Sequence, residues 1–154
     1  MSDSFRWLIP GVLAGGPHLD PYRQPSSLMP ALDELRAAGI GQIISLVEQP
    51  LTLPPGSGMA YLHQPTLDGE PPDDLEAICA FIDGGKLRGV GTFVHCIAGI
   101  GRTGTVLAAY LIWSEGRRAW DAVDEVRRRY HPRAVETSQQ LNALEAFERR
   151  HRLL

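Results

Sequence analysis

The stretch Val94-His95-Cys96-Ile97-Ala98-Gly99-Ile100-Gly101-Arg102-Thr103-Gly104 sets one cysteine and one arginine six positions apart across a short, glycine-bearing turn. Before it, Gly91-Thr92-Phe93-Val94 is an apolar, β-favouring run; after it, Thr103 to Trp113 is an apolar helical run. The turn therefore reads as a loop leading from a strand into a helix, with the helix N-terminus facing whatever the loop holds. Glycines permit the unusual dihedrals by which the backbone N–H groups of Ile97, Ala98, Gly99, Ile100, Gly101 and Arg102 converge into a nest for phosphoryl oxygens. The Arg102 side chain closes that ring as a bidentate clamp. Cys96 sits at the centre, where the field that holds an anion also favours the thiolate, the nucleophilic form of sulfur. The competing reading, a small buried hydrophobe at Cys96 and a surface charge at Arg102, leaves the whole pattern to coincidence.

Outward from the loop, periodicity predicts the elements. Phe5 to Ile9 and Val12 to Ala14 flank a Pro10-Gly11 turn and predict an edge hairpin. Leu28, Leu32 and Leu35 repeat at helical spacing behind Ser27 as a cap, and Gly39 stops that helix. Gln42 to Val47 is nearly continuous in apolar residues, as expected of a central strand covered on both faces. Ala60 to Gln64 is a weaker strand, followed by a proline-, glycine- and acid-rich loop from Pro65 to Pro72. Leu75, Ile78, Cys79 and Ile82 share one helical face, which Gly84-Gly85 is expected to end. Beyond Gly116, Ala119, Val123, Val126 and Tyr130 form an amphipathic repeat. Thr137 with Gln140 has capping-box spacing ahead of a last helix carrying Leu141, Leu144 and Phe147. Strands alternating with helices, then a helical tail, predict an α/β domain: a central, mostly parallel twisted sheet flanked by helices.

The 154 residues suit one domain, 1–154, and 44% hydrophobic content is enough for one core. Met1 to Pro10 lacks a basic patch followed by a long apolar stretch, and no segment approaches the ~18 uninterrupted apolar residues of a membrane span. A soluble, cytoplasmic protein is the expectation, with no membrane partner. Two cysteines, Cys79 and Cys96, are too few for a disulfide scaffold, and a nucleophilic thiol favours a reducing compartment. Cys79 reads as core, with a resolving thiol for oxidised Cys96 as the alternative. A net charge of −3 offers nucleic acid no general attraction. The one dense basic stretch, Arg127-Arg128-Arg129-Tyr130-His131-Pro132-Arg133, reads first as a solvated helix end complementing the helix dipole, and second as a substrate-facing surface through Arg133.

The segment His95 to Thr105 resembles the signature loop of the cysteine-dependent protein tyrosine phosphatase superfamily. Trp7-Leu8-Ile9-Pro10-Gly11-Val12-Leu13-Ala14-Gly15, Ser45-Leu46-Val47-Glu48 and Val135-Glu136-Thr137 are similar to stretches of its small atypical dual-specificity members. The resemblance implies a protein tyrosine phosphatase-like fold and a phosphocysteine intermediate, with neither cofactor nor metal. It places the general acid at Asp68, on a loop before a helix; Glu70, Asp73 and Asp74 are rivals, the last two suited equally to a helix first turn. It also implies that Thr103 hydrogen-bonds to the sulfur as it leaves. His95 would order the loop rather than move the substrate's proton, against the alternative of a packed core histidine. Glu136 matches a position that handles water in relatives, and Gln140 is a second candidate, although helix-start electrostatics explains Glu136 almost as well.

Phosphoinositide phosphatases of this superfamily commonly carry lysines inside the loop; here those positions are Ile97 and Ile100. That favours a singly phosphorylated substrate, and the short chain, without a long tyrosine-bearing rim segment, suggests an open, shallow site of dual specificity for phosphotyrosine and phosphoserine or phosphothreonine proteins. A non-protein monoester such as a phosphoinositide or a nucleotide is the alternative. A noncatalytic phosphate-binding scaffold would not need Cys96, Arg102 and Asp68 together, and a rhodanese-type sulfur transferase would not need Asp68.

Overall fold

The computed structural model describes residues 5–20 and 25–151. In β3 (Ile40–Ser45) successive side chains point to opposite faces, and both faces are buried. Ile43 joins Leu32, Leu35 and Phe93 in one cluster, while Ile44 joins Val94, Ile78 and Ile82 in another. A strand buried on both faces needs neighbours on both edges, and β3 lies between β5 (Gly91–His95) and β4 (Ala60–His63), parallel to each. The sheet continues through β2 (Leu13–Gly16), parallel to β5, to β1 (Arg6–Ile9), antiparallel at the edge, giving the order β1-β2-β5-β3-β4. The mostly parallel sheet, the edge hairpin and the interior place of β3 are as expected; β3 begins and ends two residues earlier than the expected Gln42 to Val47.

Helix α1 (Pro25–Ala37) covers one face. On the other lie α2 (Leu75–Leu87), α3 (Gly101–Glu115), α4 (Ala119–Arg129) and α5 (Ser138–His151). Helix α3 is buried from Gly101 to Ile112, enclosed by α2, α4, α5 and the sheet, which accounts for its apolar character on every side.

Several boundaries differ from the sequence expectation. Helix α1 begins at Pro25, a residue suited to a first turn because its missing N–H has no partner there anyway. The side chain of Ser27, the expected cap, lies outside the described residues. Helix α2 runs through Gly84-Gly85 to Leu87, because Gly85 serves close packing: a Cβ there would come 2.8 Å from Gln42 Cδ. The left-handed residue that turns the chain away is Gly89, at φ +76°. Thr137 and Gln140 do form a capping box, with Gln140 N–H donating to Thr137 Oγ1 at 3.1 Å and Thr137 N–H to Gln140 Oε1 at 3.2 Å.

The parallel strands end together. Gly16 of β2 and Ser45 of β3 are register partners of His95, and Ser45 is also the partner of His63 in β4. Loops leaving this row of carboxyl ends build the site, as open α/β sheets generally arrange.

Candidate active site

Cys96 is the first residue after β5, at the floor of the loop that enters α3, and is 3% exposed. Thr103, the third residue of α3, donates its hydroxyl to Cys96 Sγ at 3.1 Å. The carbonyls of Ile97 and Gly99 are taken by the His18 N–H at 3.0 Å and the Tyr130 hydroxyl at 2.7 Å. Gly99, at φ +76°, packs directly on the Gly16 backbone, leaving no room for a side chain. Among the described residues, the N–H groups from Ile97 to Arg102 donate to no protein acceptor, and Ile100 provides no side-chain cap for α3. A helix N-terminus and a run of amides without protein acceptors thus follow directly on the residue that bears the sulfur.

Arg102 is 3% exposed. Its Nη1 donates to the Thr66 carbonyl at 2.7 Å and to Glu48 Oε1 at 3.3 Å, which anchors the guanidinium from behind with groups on the loops after β4 and β3. Its Nε is buried with no hydrogen-bond partner. Beyond hydrogen-bond range, 3.8 Å from Nε, lies Asp68 Oδ1, on a carboxylate 85% exposed. A buried donor without a partner is costly unless a ligand completes it. An oxyanion held by Arg102 Nε and the loop amides would satisfy those donors.

Of Asp68's rivals, Asp74 caps α2 by accepting from Ala77 N–H at 3.0 Å, and Glu70 and Asp73 are exposed with no ion pair to Arg102. Glu136 reaches towards the cradle: a Cβ on Gly101 would come within 3.0 Å of its Cδ. Gln140 is buried, its Oε1 held by the Glu136 and Thr137 N–H groups and its Nε2 by the Glu70 carbonyl at 3.4 Å.

His95 is buried and holds Ser45 Oγ at 2.5 Å through Nε2 and the Cys96 carbonyl at 3.1 Å through Nδ1. A carbonyl only accepts, so Nδ1 carries the proton and Nε2 accepts from the Ser45 hydroxyl. Burial, with the nearby Arg102, His18 and His63 in support, lowers the His95 pKa to about 4 against the opposing carbonyl bond. It is a neutral brace beneath the loop. Cys79 is fully buried on α2, and burial pushes its thiol well up, with Asp83 and Glu76 adding to the effect.

The basic stretch is largely engaged within the protein. Arg127 donates to the carbonyls of Ala134 and Val135, both at 2.9 Å, while Arg128 and Arg129 pair with Glu125. Arg133 is exposed. Sequence reasoning missed Ser45, Glu48, Thr66, His18 and Tyr130 as parts of the site; only Ser45 and Glu48 carried a signal, through the matched stretch that contains them. A cavity of about 430 Å³ adjoins the loop, lined by His18, Asp20, Leu28, Gln49, Pro50 and Leu51 among others. Among the described residues, no group of three or more His, Cys, Asp or Glu side chains is placed to hold a metal ion, and no helix is long and apolar enough to cross a membrane.

A buried thiol, loop amides without protein acceptors, a buried arginine and a nearby exposed carboxylate therefore lie at the carboxyl ends of the parallel strands. Residues 19–116 match the family model described as "Polymorphic toxin system, DSP-PTPase phosphatase", and the chain belongs to this family of cysteine-dependent, dual-specificity-type phosphatases, which are hydrolases. It is 34% identical over 123 residues to the phosphatidylglycerophosphate phosphatase PTPMT2 of Arabidopsis thaliana, covering 75% of this chain and 54% of that protein. To the tyrosine-protein phosphatase cdc-14 of Caenorhabditis elegans it is 28% identical over 134 residues, covering 80% of this chain and 18% of the worm protein. The chain thus spans about half, or less, of the length of these curated relatives. The crystal structure of Tk-PTP in its active form superposes with a TM-score of 0.79 at 32% identity, covering 97% of this chain and 99% of that one.

Proposed function

We propose that the protein hydrolyses phosphate monoesters of proteins, phosphotyrosine first and phosphoserine or phosphothreonine as well, through a phosphocysteine intermediate in the reducing cytoplasm. The observation that carries this reading is the buried, unpartnered Arg102 Nε beside the Cys96 cradle. In the first step Cys96 Sγ forms the S–P bond as the P–O bond to the leaving group breaks. Asp68 delivers its proton to the departing oxygen, and Arg102 with the loop amides holds the equatorial oxygens. In the second step water attacks phosphorus, the S–P bond breaks, and a carboxylate takes the water's proton. Asp68, now ionised, and Glu136 are both at hand for that proton, while the Thr103 hydroxyl stabilises the departing thiolate.

The exposed Leu67 and Ile97, 55% accessible each, and the exposed Asp68 support an open mouth without basic side chains from the loop, suited to a single phosphate on a protein surface. The plant relative's name makes a lipid phosphomonoester the second substrate to test. The experiment is a rate comparison in chelator across phosphotyrosine, phosphoserine and phosphothreonine peptides, an inositol phosphate, a nucleotide and phosphatidylglycerophosphate. Phosphopeptides should turn over fastest, and Cys96→Ser should abolish all turnover. Full activity in that variant would overturn the mechanism, and a preference for the lipid would replace the substrate.

A further inference from the structure

The loop carrying Asp68 is tied to the start of α5 by a side chain that the chemistry above does not use. Thr137 Oγ1 donates to the Gly69 carbonyl at 2.6 Å, one residue beyond Asp68, while accepting from Gln140 N–H at 3.1 Å. Gln140 Nε2 adds a longer bond to the Glu70 carbonyl. One hydroxyl therefore caps a helix and latches the acid loop. We infer that Thr137 is a positioning residue for proton delivery: its bond to Gly69 holds the Asp68 carboxylate over the cradle before substrate arrives.

The anchor is itself rigid. Val135, at φ +64°, is the only non-glycine residue of positive φ among the described residues, a conformation that persists only where its surroundings enforce it. Arg127 enforces it through the carbonyls of Ala134 and Val135, and Gly104 of α3 packs so closely on Ala134 that a Cβ there would come 2.6 Å from Ala134 Cβ. Arg127 and α3 thus fix 134–136, the capping box fixes Thr137, and Thr137 fixes 69–70. Among the described residues Asp68 has no comparable tether of its own: Arg102 Nε is 3.8 Å from its carboxylate, which is open to solvent. Without the latch, the proline- and glycine-rich loop would hold Asp68 over the cradle for a smaller share of the time.

Because this rests on Asp68 as the general acid, the test measures both. The probes are p-nitrophenyl phosphate, whose leaving group needs little protonation, and phenyl phosphate, whose leaving group needs much. Thr137→Val lacks both cap and latch, Thr137→Asp keeps the capping acceptor but has no donor for Gly69, and Thr137→Ser keeps both. Val and Asp should each lower kcat on phenyl phosphate about tenfold more than on p-nitrophenyl phosphate, and Ser should restore the wild-type ratio. Asp retains the cap, so it keeps the test open if Val fails to fold. On an Asp68→Asn background, Thr137→Val should add no further leaving-group-dependent loss, since it acts through Asp68. A Thr137→Asp enzyme with the wild-type ratio between the two substrates overturns the latch, whatever its melting temperature. An Asp68→Asn enzyme with the wild-type ratio overturns instead the reading of Asp68 as the acid.

Discussion

Ser45 Oγ and His95 Nε2 lie 2.5 Å apart, at matching register on adjacent parallel strands, next to the residue that bears the loop's sulfur. Nδ1 donates to the Cys96 carbonyl, so the ring holds the loop's first peptide in place, while burial keeps the imidazole neutral. The folded His95 pKa of about 4 lies below the ordinary 6.5. Below pH 6.5 the unfolded chain therefore binds a proton that the folded one refuses, so stability falls as pH drops from 6.5 to 4 and is indifferent to His95 above that window. The expected loss is on the order of 3 kcal/mol, read from urea unfolding at stepped pH. His95→Asn should flatten the slope between pH 6.5 and 4.5. At lower pH the Glu76 carboxyl, held at about 2 chiefly by its bond to Arg150, adds a further loss in both proteins.

Arg102→Lys should lower kcat/KM roughly 100- to 1,000-fold despite keeping the charge. Nη1 is committed to Thr66 and Glu48, and a lysine ammonium cannot hold those groups and still present planar donors to an anion. Steady-state kinetics on p-nitrophenyl phosphate checks this, and an effect under threefold would remove Arg102 from the cradle's function.

Thr103→Val removes the hydroxyl that donates to Cys96 Sγ while nearly preserving shape. Departure of the thiolate in the second step should slow about tenfold, so stopped-flow traces should show a burst of p-nitrophenolate approaching one equivalent of enzyme, followed by a slower steady state. A proportional fall with no burst would place the effect of Thr103 in the first step.

Peroxide at low millimolar dose should inactivate the enzyme and dithiothreitol should restore it, as expected of an oxidisable nucleophilic thiol. Cys79→Ala should show the same inactivation and recovery, because Cys79 is buried in the α2 core with its thiol held protonated. Loss of recovery in Cys79→Ala would make it a resolving thiol after all.

The loop from Cys96 to Thr103 was legible because its pattern is local: cysteine, glycines, arginine and threonine lie within eight consecutive residues, and strand-to-helix periodicity brackets them. The capping box of Thr137 and Gln140 was legible for the same reason. Gly84-Gly85 misled because glycine at the end of an apolar repeat looks like a stop; its use against Gln42, far away in the chain, has no local signature. Tyr130 appeared as the last member of an amphipathic repeat and within the basic stretch, neither of which signals that its hydroxyl closes on Gly99.

Sequence alone determined the alternation of strands and helices and the family's loop between β5 and α3, since these depend on dihedral freedom, periodicity and residue chemistry at short range. Only the tertiary structure decided what holds the loop. The row Gly16, His95 and Ser45, the backing of Arg102 by Thr66 and Glu48, and the tie from Thr137 to Gly69 all join segments far apart in the chain. Hydrogen bonds of that kind form when packing of the sheet and α3 brings the strand ends together, and no spacing between residues encodes their partners.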